Sequence, residues 1–285
     1  MTVGFVGLGN MGAVLAANLV AAGHEVVAHD ALGPARAPEG AVYVDEVAEV
    51  ARRAQALVLS LPDGAASEQV ARAILAADGR RVRQVVDTST IGVTAARAVA
   101  ALLAGEKVGY VDAPVSGGVA GAKARTLTVM YAGADHDCAQ VADVLAGLGD
   151  RRHRVGDTPG MAQALKLANN FLSATTLAAT SEAVAFGLSA GLDLATMLDV
   201  LNGSSGRSAA TEDKFPRHVL TGHYAAGFTN SLMNKDVQLY LRESGAWGGS
   251  VGEAIGVLWE RFARAEPGVD FTRIHPYLTL RQKRE

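Results

Sequence analysis

The sequence predicts an α/β domain with a doubly wound, mainly parallel sheet, joined by one long helix to an all-α domain. Three observations carry this. The first half alternates short apolar runs with Ala-rich stretches, a glycine cluster follows the first apolar run, and beyond residue 157 only helical texture continues. Strand–helix alternation favours parallel pairing with helices on both faces. The boundary is placed at 157/158, so residues 1–157 form the first domain and residues 158–285 the second. A chain of 285 residues has the length of about two domains.

Residues 3–6, 25–29, 56–61, 84–87 and 108–111 are nearly continuous apolar runs, which is how strands buried on both faces read. Between them, 12–22, 45–54, 65–77 and 94–103 have helical composition and spacing. Two further strands are expected at 126–132 and 152–155, separated by a helix over 137–148. After Gly156-Asp157-Thr158-Pro159-Gly160 the texture changes. Residues 161–190 contain no proline and only Gly187 as an interruption, so they predict one helix of about 45 Å, longer than a typical crossover. More helices are predicted at 194–201, 212–220, 230–244 and 251–265, and the charged end 281–285 reads as a solvated tail.

Composition excludes several classes. Apolar residues make up 49% and charged residues 19%, which is a folded rather than a disordered chain. The net charge of −3 leaves no basic excess for a nucleic-acid face and no acidic tail. Cys138 is the single cysteine, so there is no intrachain disulfide or Cys-rich zinc site, and it reads as core filler in a reducing compartment. The seven histidines are scattered without ligand-pair spacing, and no metal is expected. No basic n-region precedes an apolar stretch, and no run reaches the roughly 18 apolar residues of a membrane span. The expectation is a cytoplasmic protein without a membrane or nucleic-acid partner.

Gly7-Leu8-Gly9-Asn10-Met11-Gly12 matches GxGxxG in the context that gives the pattern meaning, after a strand and at the opening of a helix. Gly7 makes the tight turn, Gly9 lets the backbone approach a pyrophosphate, and Gly12 lets the helix lie close to the strand. The helix N-terminus supplies N–H groups and the positive dipole end to the phosphates. Asp30 closes the second strand, 23 residues past Gly7. A carboxylate there accepts from ribose hydroxyls and repels a 2′-phosphate, which favours NAD, although Arg36 close by leaves NADP open.

Three more segments carry chemistry. Ser116-Gly117-Gly118, within 112–122, offers a hydroxyl and bare backbone N–H groups that suit a carboxylate; a flexible loop is the plainer alternative. Lys166 and Asn170 are spaced i,i+4 and share a helix face, whereas Asn169 points about 100° away. Lys166 lies in an apolar stretch. If buried, its pKa falls toward working pH, which suits a proton donor and acceptor; if not, it snorkels to solvent. In Asn234-Lys235-Asp236, Lys235 could reach a cofactor with Asp236 orienting it, or the two could form a surface ion pair.

Taken together, these stretches resemble the β-hydroxyacid dehydrogenase family, which includes 3-hydroxyisobutyrate dehydrogenase and tartronate semialdehyde reductase. The resemblance rests on GLGNMG at 7–12, LP at 61–62, DTSTI at 87–91, DAPVSGGVAGA at 112–122, GDTPGMAQALKLANN at 156–170 and NKD at 234–236. It covers nearly the whole chain. It implies a Rossmann domain, a long interdomain helix with Lys166 at the cleft, and a C-terminal helical domain like that of 6-phosphogluconate dehydrogenase, assembled as homodimers or homotetramers. It implies Lys166 as catalytic acid/base and Asn170 beside it holding substrate, with Ser116, Gly117 and Gly118 binding the substrate carboxylate. The cofactor, NAD or NADP, would meet residues Gly7, Leu8, Gly9, Asn10, Met11 and Gly12, with Asp30 on the ribose. Leu61 and Pro62 would line the cofactor side, Thr90 the nicotinamide, and Lys235 would approach from the helical domain.

The activity so implied is reversible oxidation of a small 3-hydroxy acid to its semialdehyde or ketone. Alternatives are an imine reductase on the same scaffold, which Lys166 disfavours, and a non-catalytic NAD-binding regulator, which has no need of Ser-Gly-Gly, Lys166 and Asn170 together. Some residues depart from the family pattern. Lys123 and Arg125 stand where relatives have small residues, Ala66 stands where a polar residue is common, and Arg207 lies in a loop where the resemblance implies residues that choose the substrate tail. Lys123, Arg125 and Arg207 could meet an anionic substrate or face solvent.

Overall fold

The computed structural model describes residues 1–281, and its contacts divide the chain into two compact units, the first Met1–Lys166 and the second starting at Leu167. In the first unit, β1 (Thr2–Val6), β2 (Glu25–His29), β3 (Ala41–Tyr43), β4 (Ala56–Leu59), β5 (Gln84–Asp87) and β6 (Gly109–Asp112) pair in parallel in the order β3-β2-β1-β4-β5-β6. The sheet continues through β8 (Thr128–Ala132), which is antiparallel to β6 and to β7 (Val115–Ser116) and parallel to β9 (Arg151–Gly156).

Period-two alternation distributes the strand residues between two cores. Val3, Phe5, Val26, Ala28, Ala56, Val58, Val86 and Val111 pack on one face with α1 (Gly12–Ala21), α5 (Gly118–Lys123), α6 (Asp135–Gln140) and α7 (Ala142–Leu148). Val6, Val27, Leu57, Leu59, Val85 and Tyr110 pack on the other with α2 (Val47–Arg53), α3 (Gly64–Ala76) and α4 (Val93–Ala104). Both faces are covered, which is why these strands read as unbroken apolar runs. Cys138 is buried in the first of these cores, its thiol donating to Gly133 O at 3.4 Å.

Some elements differ from the sequence expectation. The edge strand β3 is three residues long with Val42 exposed, too short and too polar in setting to leave a pattern. Over 137–148 the single expected helix is two, interrupted at Val141 (φ −107°, ψ 12°). The segment after Ser116 is not a loop, because Gly117 (φ 129°) turns the chain directly into α5.

Helix α8 (Met161–Ser189) is 29 residues long. The contact division falls at Lys166 rather than at 157 because the helix starts on the first unit: Ala162 packs with Met130 and Ala132, and Gln163 is fully buried there. By length and composition α8 could cross a membrane, but Ala174, Leu177, Ala178 and Val184 are buried in the second unit's core, as in the central helix of a globular domain. That core is completed by α9 (Leu194–Asn202), α10 (Asn230–Ser244), α11 (Ser250–Ala265) and α12 (Ile274–Arg281) around Phe215, Trp259 and Phe262. Where the sequence predicts an ordinary helix over 212–220, the segment Ala210–Val219 is π-helical, with Leu220 N donating to Phe215 O at 2.8 Å. Pro216 inside it has no N–H, and its ring crowds the preceding turn, which a wider i→i−5 ladder relieves. Arg281 closes α12 instead of opening a tail, and residues 282–285 of the expected tail lie outside the described residues.

Candidate active site

The parallel order reverses direction between β1 and β4, and the ligand crevice of such sheets lies beyond the strand C-termini at that point. The glycine turn is there. Gly7 adopts φ +98° and donates from its backbone N–H to His29 O at 3.0 Å, joining the turn to β2. A Cβ on Gly7 would stand 2.3 Å from Ser60 O, and one on Gly12 only 1.9 Å from Gly7 O. A Cβ on Gly9 would meet nothing within 4 Å. So Gly7 and Gly12 are excluded from carrying side chains by the protein's own backbone, while Gly9 borders open space, where a side chain would obstruct the approach of a ligand to the backbone. Helix α1 begins with no side-chain cap and no acidic residue in its first turn, so its N-terminal dipole is not neutralised by the chain. These features fit a dinucleotide pyrophosphate.

Around this turn, Leu8 is fully buried, Met11 is partly buried against the core, and Asn10 is exposed, its Oδ1 accepting from Arg36 at 3.1 Å. Asp30 accepts from the Leu8 N–H and, at 2.7 Å, from the Leu32 N–H, which fixes its carboxylate against the turn. Leu61 follows β4, its N–H donating to Ser89 Oγ at 2.8 Å, and Pro62 beside it is exposed. Thr90, partly buried, follows β5. Ser116 ends β7, and Gly117 and Gly118 open α5.

Sequence reasoning missed a buried polar cluster beneath these loops. Asp87 and Asp112 face each other in register on β5 and β6, both fully buried, with Tyr110 Oη 3.4 Å from Asp87 Oδ2. Burial pushes the Asp87 carboxyl up, pushes the Asp112 carboxyl up to about 6, and pushes the Tyr110 phenol well above its usual range. Asp112 Oδ2 accepts from the Gln163 N–H at 3.1 Å, at the start of α8. Gln163 Oε1 in turn accepts from the N–H groups of Ile91 (3.0 Å) and Gly92 (3.2 Å), and its Nε2 donates to Ser89 O (2.9 Å). The loop that follows β5 and the helix that carries Lys166 are therefore fastened together. A polar residue three positions before Lys166 in an apolar stretch was the available signal.

Lys166 is buried, 8% exposed. Asn170, one turn further along α8, is also buried, and its Nδ2 donates to Asp236 Oδ2 at 2.6 Å. Asp236 is buried on α10, with Lys235 Nζ 3.2 Å from its other oxygen. The surface ion pair expected as one alternative for Lys235 is instead a pair with a buried carboxylate, and the same Asp236 accepts from Asn170. Arg125 and Arg207 have structural partners: Arg125 donates to Ala146 O, Gly147 O and Asp150, and Arg207 pairs with Glu212 at 2.7 Å. Lys123 is exposed at the end of α5.

A parallel sheet whose switch point holds a glycine-opened, uncapped helix is a dinucleotide-binding device, and it places the chain among the NAD(P)-dependent oxidoreductases. Residues 2–156 match the family model described as the NAD binding domain of 6-phosphogluconate dehydrogenase, and residues 160–277 that of the NAD-binding region of NADP-dependent 3-hydroxyisobutyrate dehydrogenase. The chain is 35% identical to 3-hydroxyisobutyrate dehydrogenase of Pseudomonas aeruginosa over 95% of its own length and 96% of that protein. It is 35% identical to 2-(hydroxymethyl)glutarate dehydrogenase of Eubacterium barkeri over 84% of this chain and 81% of that one. The solved structure of Mycobacterium tuberculosis 3-hydroxyisobutyrate dehydrogenase with L-serine superimposes with a TM-score of 0.89 at 32% identity, covering 97% of this chain and 98% of that one. An imine reductase from Myxococcus stipitatus, at 21% identity and a TM-score of 0.65, shares the fold alone. The chain belongs to the 3-hydroxyisobutyrate dehydrogenase family and is a 3-hydroxyacid dehydrogenase.

Proposed function

We propose that the protein interconverts a small 3-hydroxy acid and its semialdehyde or ketone, with Lys166 as the general acid/base. The observation that carries this is a buried lysine one helical turn from an asparagine whose amide is held by a buried carboxylate. Lysine Nζ accepts the substrate hydroxyl proton in the oxidative direction and returns it in the reductive one. Asn170, held by Asp236, keeps the hydroxyl directed at that amine. Ser116, Gly117 and Gly118 take the substrate carboxylate through the serine hydroxyl and backbone N–H groups. Residues Gly7 to Gly12 hold the pyrophosphate, Asp30 the adenosine ribose, and Leu61, Pro62 and Thr90 the nicotinamide half, while Lys235 adds positive charge from α10. When bound, the nicotinamide supplies the hydride acceptor or donor.

The negative charge of Asp30 at the turn supports NAD over NADP as the preferred cofactor. Substrates share a carboxylate and a hydroxyl on carbon 3, a pattern found in 3-hydroxyisobutyrate and in the L-serine present with the Mycobacterium tuberculosis relative. Residues 1–157 form the cofactor domain and 158–285 the substrate and assembly domain of a cytoplasmic homodimer or homotetramer. The test is a rate panel over short 3-hydroxy acids with both cofactors, run on the wild type and on Lys166→Ala. General acid–base assistance is worth about 10²–10⁴-fold, so the variant loses turnover by that factor while NAD still binds. Unchanged turnover removes Lys166 from the chemistry.

A further inference from the structure

At the opposite end of the sheet from the glycine turn there is a cavity of about 480 Å³, at the N-terminal edges of β4 and β5. The strands put a separation of about 13 Å or more between the two ends. Its walls include Arg80, Arg81, Arg83, Gln55, Gln84 and Gln140, and no acidic residue lines it. A volume in this range is that of a small-molecule site, roughly 300–1,000 Å³.

The local sequence explains the wall. Arg80-Arg81-Val82-Arg83 leads into β5, its backbone tied by Arg81 N to Ala51 O (2.8 Å) and Arg83 N to Gln55 O (2.9 Å). Val82 is fully buried, so its neighbours Arg81 and Arg83 turn outward together and both are exposed. Among the described residues neither guanidinium makes a hydrogen bond or ion pair, whereas Arg80 is committed to Leu75 O, Glu106 O and the Glu106 carboxylate at 3.7 Å. Arg80 Nε is nevertheless a buried donor with no acceptor. Behind the wall, Asp137 accepts from Gln84 Nε2 at 3.0 Å and lies 3.1 Å from His136. Gln84 Nε2 also donates to Gln140 Oε1 at 3.0 Å, which holds the two amides in place. The cavity is a donor-rich concavity with two uncompensated positive charges.

We propose that this cavity binds a small phosphate-bearing anion, an effector or phosphorylated metabolite, at a site separate from the cofactor. Two exposed guanidiniums flanking buried Val82 present forked donors that match phosphate oxygens, and each charge-assisted contact contributes about an order of magnitude or more in affinity. The experiment is isothermal titration of sodium pyrophosphate, and separately of glycerol 3-phosphate, into the NAD-saturated protein at constant ionic strength. Saturating NAD removes the glycine turn as a competing phosphate site. The expected result is saturable binding of at least one anion, weakened at least tenfold in Arg81→Gln/Arg83→Gln and unchanged in Arg72→Gln, whose arginine pairs with Glu68 on α3. The better binder of the two tells an inorganic polyphosphate from a phosphorylated metabolite. Absence of saturable binding with both anions overturns the proposal, as does equal binding by the double variant with unaltered circular dichroism and NAD affinity.

Discussion

Replacing Asp112 by asparagine tests the buried cluster under the active-site loops directly. Asp112 is fully buried, and burial, with a smaller contribution from the charge of Asp87, raises its carboxyl from 3.8 to about 6. At 1.36 kcal/mol per pKa unit, that shift amounts to about 3 kcal/mol. A folded-state pKa above the unfolded one means that the stability contribution is full below about pH 4 and declines as pH rises toward and through 6. Asparagine keeps an oxygen for the Gln163 N–H and has no charge to lose. The stability of Asp112→Asn relative to wild type therefore rises by about 2.5 kcal/mol between pH 4 and pH 7, whatever the fixed cost of the substitution. Urea unfolding followed by far-ultraviolet circular dichroism, on both proteins at half-unit pH steps, measures that difference, and groups remote from Asp112 cancel. A difference that stays constant within about 0.5 kcal/mol across the range would refute the assignment of a titrating, burial-strained carboxyl at this position.

Three further outcomes follow from the site. Gly12→Ala puts a Cβ 1.9 Å from Gly7 O and lowers stability by about 1–3 kcal/mol in thermal or urea unfolding, whereas Gly9→Ala, with no atom within 4 Å, unfolds like wild type but binds NAD at least tenfold more weakly. Asp30→Ser reduces the NAD-to-NADP preference by about tenfold or more in paired kcat/KM measurements, because the charge that opposes a 2′-phosphate is gone. Gln163→Leu removes three buried side-chain hydrogen bonds and costs about 3 kcal/mol or more of first-unit stability, read as a lowered urea midpoint.

What could be read from the sequence was what is encoded locally. Five of the six parallel strands, β3 excepted, carry their burial as nearly unbroken apolar runs, and the glycine turn carries its backbone demands within six residues. Lys166 and Asn170 share a face because helical periodicity puts them there. The rest depends on partners far apart in the chain. Gln163 meets Ser89, Ile91 and Gly92 more than seventy positions away, and Asp236 meets Asn170 across 66 residues. Neither pairing leaves a periodic trace. The same holds for Arg125, which sequence position alone could assign to substrate or solvent but which the fold ties to the end of α7. The π-helical turn around Pro216 escaped because a proline within a helical pattern signals interruption without saying how the backbone accommodates it.

The fastening made by Gln163 narrows which sequences can carry this fold. One side chain must accept from two amides and donate to a carbonyl in a dry setting, at a fixed reach from the helix axis. Glutamate, one atom different, would turn its second oxygen toward Ser89 O, asparagine falls a methylene short, and an aliphatic residue strands all three groups. Drift is open at most positions around it, but at 163 the only neutral neighbour in chemical space is glutamine itself.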